Sequence, residues 1–258
     1  MTLRRSRRSP STAAVAARVG AAIGALVVAH AAPSVLAIPR VRARLSARVT
    51  GVGDGGRIAL TFDDGPNPVS TPRFLEALDE SGVKATFFML GCMAARAPAL
   101  SRAIVEAGHE VALHGWSHRI LMLRGPAATY ADLARARSLI ADLTGQEPRF
   151  FRPPHGLFST PALVAAARLE LTPVLWTCWG RDWKPQATPE SILAKLRPGL
   201  NGGATILLHD ADGDQAPCAW RSTLRALPWV LEECARRGLR VGPLRDHVTP
   251  TQPAPATP

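Results

Sequence analysis

From residue 57 to about 241 the chain alternates short apolar runs with longer amphipathic ones, and this restricts it to folds built on parallel strands. Strand-like runs lie at 57–62, 84–90, 110–113, 149–151, 173–177, 204–208 and 239–241, each short and rich in β-branched or aromatic residues. Helix-like runs at 71–80, 100–107, 128–143, 160–167, 189–196 and 220–237 separate them, several opened by Ser, Thr or Pro and closed before Gly. Strands and helices in that order imply right-handed crossovers and parallel neighbours, hence a barrel or a doubly wound sheet. Either architecture gathers its chemistry at the carboxyl ends of its strands. A chain of 258 residues with 47% hydrophobic content is long enough for one such domain with one core.

The polar residues that follow these apolar runs are therefore the candidates for chemistry. Asp63 and Asp64 directly follow the run ending at Phe62 and precede Gly65-Pro66, a turn signal. Adjacent side chains on a regular strand point to opposite faces, so the two carboxylates share a site only if the strand ends there. Alone, Asp-Asp-Gly-Pro is more often a turn or a helix cap than a catalytic pair. His114 and His118 close the third run, and on one helical turn their spacing would bring both rings to one ion. Two His and a carboxylate with open positions recur as a catalytic metal set. Later runs end in Arg152-Pro-Pro-His155-Gly156, Trp179-Gly-Arg-Asp182-Trp183 and Leu207-Leu-His209-Asp210. Singly, Arg152 reads as an ion pair, Asp182 as a cap and His209 as a core histidine. Together, five polar clusters fall at five equivalent strand ends, where chance would scatter them over both ends of the sheet.

This ordered set, Thr61-Phe-Asp-Asp-Gly65, His114-x3-His118, Arg152-Pro-Pro-x-Gly156, Asp182-Trp183 and Leu207-x-His209, resembles the polysaccharide deacetylases with the NodB-homology domain, carbohydrate esterase family 4. The resemblance spans about residues 57–241. It implies a distorted (β/α) barrel of about seven parallel strands and one divalent ion, Zn²⁺ first, with Co²⁺, Ni²⁺ or Mn²⁺ as alternatives. By position it implies Asp64, His114 and His118 as metal ligands, Asp63 as general base and His209 as general acid. Arg152 resembles the residue that tethers the base and Asp182 the one that tunes the acid, while Trp183 and Leu207 match the lining of an acetyl-methyl pocket. The family usually has Tyr where this chain has His155, and many members carry a further Asp upstream of Asp182. A backbone N–H at position 155 survives that exchange as an oxyanion donor; the imidazole itself is assigned to the substrate pocket in preference to a fourth metal ligand.

The implied reaction is hydrolysis of N-acetyl groups from amino sugars of peptidoglycan, chitin-like oligomers or poly-N-acetylglucosamine. An amide is a weak electrophile with a poor leaving group, so the chemistry asks for a Lewis acid, a base for the water and an acid for the departing amine. Two other readings share these residues: the same site acting on another N-acyl or O-acetyl substrate, and a catalytically silent glycan-binding protein. Retention of Asp63, Asp64, His114, His118 and His209 argues against the silent form.

Charge adds a constraint at the other end of the chain. The formal net charge is +11, but residues 1–50 hold nine arginines and no acidic residue, which leaves 22 basic against 20 acidic residues elsewhere. The basic surplus is thus not a nucleic-acid-binding face, and no nucleic-acid motif is present. Arg4, Arg5, Arg7 and Arg8 precede an apolar run at 19–38, and Arg40, Arg42, Arg44 and Arg48 follow it. That order reads as a targeting segment over 1–50, either a signal peptide ending near Ala37 or an uncleaved anchor, with an amphipathic helix packed on the domain as the third option. It places the catalytic domain at 51–248, in or beyond a bacterial-type cell envelope, and leaves 249–258 as a Pro-rich disordered tail. The four cysteines form no CxxC pair, so they offer no structural zinc site and no unique disulfide pairing. Asp212 and Asp214 read as a solvated acidic loop after His209. Among six tryptophans only Trp183 is assigned to the site; nothing in the sequence fixes the oligomeric state.

Overall fold

The computed structural model describes residues 12–45, 47–212 and 217–248, so the expected tail at 249–258 and Asp214 lie outside the described residues. In chain order the elements are α1 (Thr12–Ala31), α2 (Pro39–Leu45), α3 (Ala47–Thr50), β1 (Arg57–Asp63), α4 (Thr71–Glu80), β2 (Thr86–Met89), α5 (Gly91–Arg96), α6 (Pro98–Glu106) and β3 (Glu110–Leu113). They continue as α7 (Pro126–Thr144), β4 (Phe150–Phe151), α8 (Thr160–Arg168), β5 (Thr172–Pro173), β6 (Cys178–Trp179), α9 (Pro189–Leu196), β7 (Thr205–His209), α10 (Trp220–Arg236) and β8 (Arg240–Gly242). Proline at the first turn of α6, α7, α8 and α9 explains why those helices start where they do, since proline's missing N–H costs nothing there. Ser159 caps α8, and Thr188 with Ser191 forms a capping box on α9.

All strand pairs are parallel, in the order β5-β4-β3-β2-β1-β7-β6, with β8 against the start of β1. The expected strand at 173–177 is not one strand. It splits into β5 and β6, which stand at opposite edges of the sheet although only four residues separate them. Five backbone steps span at most about 18 Å. The sheet must therefore curl until its edges nearly meet, and this makes it a barrel. The seam is filled by the linker and the preceding helices: Leu175 N–H donates to the Val49 carbonyl at 2.9 Å, and Arg42 Nη2 donates to the Trp176 carbonyl at 2.6 Å. Arg42 is buried, and Val49 joins the core.

Period-two alternation sorts each strand between two apolar layers. Ile58, Leu60 and Phe62 of β1 pack outward beneath the helices with Phe87, Met89, Val111 and Leu113. Ala59 packs inward with Phe88, Ala112, Phe150, Val174 and Leu244. The same alternation points Thr61 and Asp63 into the barrel. In register, Thr61 pairs with Leu207 and Asp63 with His209, so the inner face of β1 and β7 ends in an acid and an imidazole side by side at the barrel mouth.

Outside the barrel, α1 is apolar and largely exposed. Ala16–Ala37 is long and apolar enough to cross a membrane, with a mean hydropathy of 1.8 and 6% of it buried. Its C-terminal end docks on the domain: Thr160 Oγ1 donates to the Ala29 carbonyl at 2.6 Å, and His30 Nε2 lies 2.9 Å from the Met122 carbonyl.

Candidate active site

β1 ends at Asp63 because the next residue leaves extended backbone: Asp64 has φ 79. That left-handed turn resolves the sequence problem of two adjacent carboxylates. Asp63 stays on the inner face while Asp64 swings toward the end of β3. Residues 114–118 form an irregular loop instead of the expected helical turn, with Gly115 at φ 92. The two imidazoles still converge, their ring centroids 5.4 Å apart.

Asp64 Oδ1 lies 3.4 Å from His114 Nε2 and 3.4 Å from His118 Nε2. One ligand atom from each of the three residues falls within 4.8 Å of the others, a group that could hold a metal ion. In tetrahedral geometry with bonds near 2 Å the donor atoms stand about 3.3 Å apart, so the observed spacing fits one small cation. His114 Nδ1 lies 2.8 Å from the Arg152 carbonyl. A backbone acceptor there places the ring proton on Nδ1 and leaves the Nε2 lone pair available to a cation. Burial alone would raise the Asp64 carboxyl, but the hydrogen bond to His114 and the charges of His209, His114 and His118 hold it well below the ordinary carboxylate range.

Asp63 is gripped from inside the barrel. Arg152 Nη1 donates to Asp63 Oδ1 at 2.6 Å and to Thr61 Oγ1 at 2.8 Å, while Nη2 donates to the Leu175 carbonyl at 2.9 Å. The guanidinium is fully buried, with its Cζ over Phe88, 4.0 Å from the ring centroid. A buried guanidinium with this much bonding fixes its partner rigidly, and removing it would leave an uncompensated buried charge. Asp63 Oδ2 lies 3.8 Å from His114 Nε2.

On the opposite flank, Asp182 Oδ1 is 2.9 Å from His209 Nδ1, and Asp182 Oδ2 accepts from the His209 backbone N–H at 2.8 Å and from Thr223 Oγ1 at 2.9 Å. Burial opposes a charge on His209. The Asp182 carboxylate, through its charge and its hydrogen bond, outweighs burial with help from Asp64 and Asp63 and pushes the imidazole up to about 9. Engaging Nδ1 leaves Nε2 as the free ring nitrogen.

A pocket of about 300 Å³ joins these groups, lined by Asp63, His114, His118 and His209, with Leu207 and Trp183 as expected from sequence. His155 also lines it, on the left-handed backbone (φ 59), its ring centroid 4.3 Å from that of His118, but it lies outside the three-residue ligand group. Gly156 follows at φ 68, and a Cβ there would meet Trp176 at 2.7 Å, so the glycine of this motif is required by both backbone and space. Sequence reading missed Trp176 and Trp179, which complete an aromatic wall with Trp183. Their signal was present as position: Trp176 lies near the end of the fifth apolar run and Trp179 just beyond it, where the other site residues also lie. Asp212, partly exposed, accepts from the Cys218 N–H at 2.8 Å and the Trp220 N–H at 3.3 Å at the start of α10. Asp210 is buried against Thr71, and burial pushes its carboxyl up to about 7. All four cysteines are free thiols.

A family model described as polysaccharide deacetylase matches residues 50–174. A chitooligosaccharide deacetylase from Bradyrhizobium sp. (strain ANU 289) is 36% identical over 197 residues, 72% of this chain and 88% of that protein. The chain belongs to the polysaccharide deacetylase family. Solved structures of the family agree. The Bc1960 peptidoglycan N-acetylglucosamine deacetylase superimposes with a TM-score of 0.73 at 26% identity, covering 80% of this chain and 94% of that one. A carbohydrate esterase family 4 pseudoenzyme from Bacillus anthracis, BA3943, gives a TM-score of 0.68 at 25% identity, over 75% and 65% of the two chains. The curled parallel barrel with its surrounding helices is thus the deacetylase fold of this family.

Proposed function

We propose that this deacetylase is a metal-dependent hydrolase that removes N-acetyl groups from amino-sugar residues of an envelope glycan. The observation that carries the reading is the convergence, in one pocket, of the Asp64, His114 and His118 group with Asp63 on one side and the Asp182-bound His209 on the other. Asp64, His114 and His118 would hold one divalent ion, and their oxygen and nitrogen donors suit Zn²⁺, with Co²⁺, Ni²⁺ and Mn²⁺ accepting the same set. Once bound, such an ion supplies Lewis acidity to an amide carbonyl and lowers the pKa of water toward neutrality.

The remaining work falls to the chain's own groups. Asp63, oriented by Arg152 through Oδ1, takes the proton of the attacking water on Oδ2. His209 holds a proton at neutral pH and delivers it from Nε2 to the departing amine nitrogen. The backbone N–H of His155 donates to the oxyanion, while Leu207 and Trp183 enclose the acetyl methyl and exclude bulk water. The two carboxylates have distinct roles because their surroundings differ: one faces a guanidinium, the other two imidazoles.

The test is acetate release from N-acetylglucosamine oligomers and from acetylxylan, with chelator, Zn²⁺ and Co²⁺ arms. Turnover of the first that is lost to chelator supports the reading; ester-only turnover moves it to an O-acetyl substrate. Because a pseudoenzyme stands among the structural relatives, binding alone decides nothing, and acetate is the required readout. Location belongs to the same proposal: the apolar helix α1 tethers the enzyme to a membrane or directs its export. Mapping the mature N-terminus separates these two.

A further inference from the structure

Beside the central pocket, across the loop that carries His118, lies a second hollow of about 450 Å³ lined by Trp116, Ser117, Arg119, Arg124, Asp132 and Arg135 among others. Its charges are unequal. Arg124 is ion-paired with Asp132, and Asp132 also accepts the Trp116 backbone N–H at 2.8 Å, so that pair is committed to holding the loop. Arg135 lies over the Trp116 indole with its Cζ 3.4 Å from the ring centroid, close enough for the guanidinium to stack on the ring. Stacking of this kind occupies the face of a guanidinium and leaves its N–H edge for an acceptor. Arg119 sits one residue beyond His118. Among the described residues neither Arg119 nor Arg135 forms an ion pair with a carboxylate.

Two exposed, unneutralised cations lining one hollow repel each other, and an oxyanion between them would relieve that cost. A guanidinium offers paired N–H donors that match a carboxylate or phosphate in a bidentate fork. The position matters as much as the charge. Trp116, Ser117 and Arg119 belong to the same short loop as a member of the ligand group, so a glycan whose acetamide enters the central pocket can lay a neighbouring sugar along this loop. Trp116 is half-buried and its ring is already engaged by Arg135, so it serves to fix that guanidinium at the hollow's edge.

We propose that Arg119 and Arg135 form an anion subsite that selects glycans carrying a carboxylate or phosphate substituent on the sugar next to the one deacetylated. This rests on the deacetylase reading and narrows its substrate class from neutral to acidic chains. Arg124 and Asp132 hold the subsite's floor and make no direct contribution to its net charge.

The experiment uses the full-length protein loaded with Zn²⁺ and three oligosaccharides of equal length: a neutral N-acetylglucosamine oligomer, one with O-lactyl carboxylates on alternate sugars, and one phosphorylated on those sugars. Expected is a KM about tenfold lower for at least one acidic oligomer than for the neutral one. That gap should close as ionic strength rises from about 20 mM to about 0.5 M, because the arginines are exposed and screened. R119Q with R135Q should raise KM for the acidic oligomer about tenfold and leave kcat and the neutral substrate unchanged, while R119K with R135K recovers part of the loss. Equal loss on neutral and acidic oligomers, or a salt-independent preference, overturns the subsite; which acidic oligomer responds separates carboxylate from phosphate. Should no oligomer be turned over, the hydrolase reading fails on its own. Calorimetric binding of the same three oligomers to wild type and the R119Q, R135Q protein then decides the subsite independently.

Discussion

Replacing Asp182 by Asn tests the assignment of His209 as the acid more sharply than removing His209 would. In the native site, burial pulls the imidazole toward neutrality and Asp182 leads the groups that reverse it, lifting it from 6.5 to about 9. That rise corresponds to roughly 3 kcal/mol of preference for the imidazolium. At pH 7.5 a group titrating at about 9 is about 97% protonated, whereas one returned to 6.5 or below is at most about 10% protonated. Asn keeps the shape and an oxygen acceptor, so Thr223 and the His209 backbone N–H retain a partner. The expected outcome is a kcat at pH 7.5 lower by about tenfold or more, with partial recovery toward pH 6 and the alkaline limb moved from near 9 to below 7. Stability should follow the same sign. A folded-state pKa raised above the unfolded value gives stabilisation that is complete below about pH 6.5 and lost as pH rises through about 9, and the variant should lack that decline. The measurements are kcat against pH and a nitrogen-15 NMR titration of the His209 ring in the metal-free protein. If the alkaline limb of the variant coincides with wild type, or the ring titrates unchanged, the proton donor is another group.

Other expectations follow from the same geometry. Asp63→Asn should lower kcat by about 10²–10⁴-fold with little change in metal content or oligosaccharide affinity, as read by turnover, elemental analysis and calorimetry. His118→Ala should cut metal affinity by more than tenfold while the far-ultraviolet dichroism stays native, because its partly exposed ring adds a ligand and little packing. Arg152→Met should cost about 3–5 kcal/mol in urea unfolding, since it leaves Asp63 charged, buried and unpartnered; a change below about 1 kcal/mol would show that water replaces the guanidinium. Asp210→Asn should stabilise the chelated protein increasingly between about pH 4 and 7. Burial raises the native carboxyl to about 7, so in wild type ionisation destabilises the fold as pH rises, and the amide has no such penalty; thermal unfolding against pH reads the difference.

What the sequence revealed and concealed divides along a physical line. Strands such as β1, buried on both faces, are near-continuous apolar runs, and their carboxyl ends are marked by the first ionisable residue after the run, so Asp63, His114 and His209 could be located from hydrophobicity and charge alone. The joint placement of five polar clusters followed from the parallel topology, which puts every strand's carboxyl end at one mouth. The failures occur where local pattern does not encode tertiary position. The run 173–177 is apolar because it lines the seam of the barrel; after Val174, which bonds to Phe151, its backbone partners are Val49 and Thr205, residues remote in sequence that no periodicity can announce. Asp64 and His155 depend on left-handed backbone, which neither residue type signals reliably as glycine does. Trp176 reaches the pocket from the linker between β5 and β6, and Trp179 from the edge strand β6 that this linker feeds. The seam therefore connects structure to specificity: Leu175 accepts the hydrogen bond that steadies Arg152, its neighbour Trp176 lines the pocket, and Arg42 from the N-terminal segment binds the Trp176 carbonyl. Leu175, outside the five motifs, thus sits two hydrogen bonds from Asp63, and the segment that leads to the apolar helix α1 is physically continuous with the wall of the site.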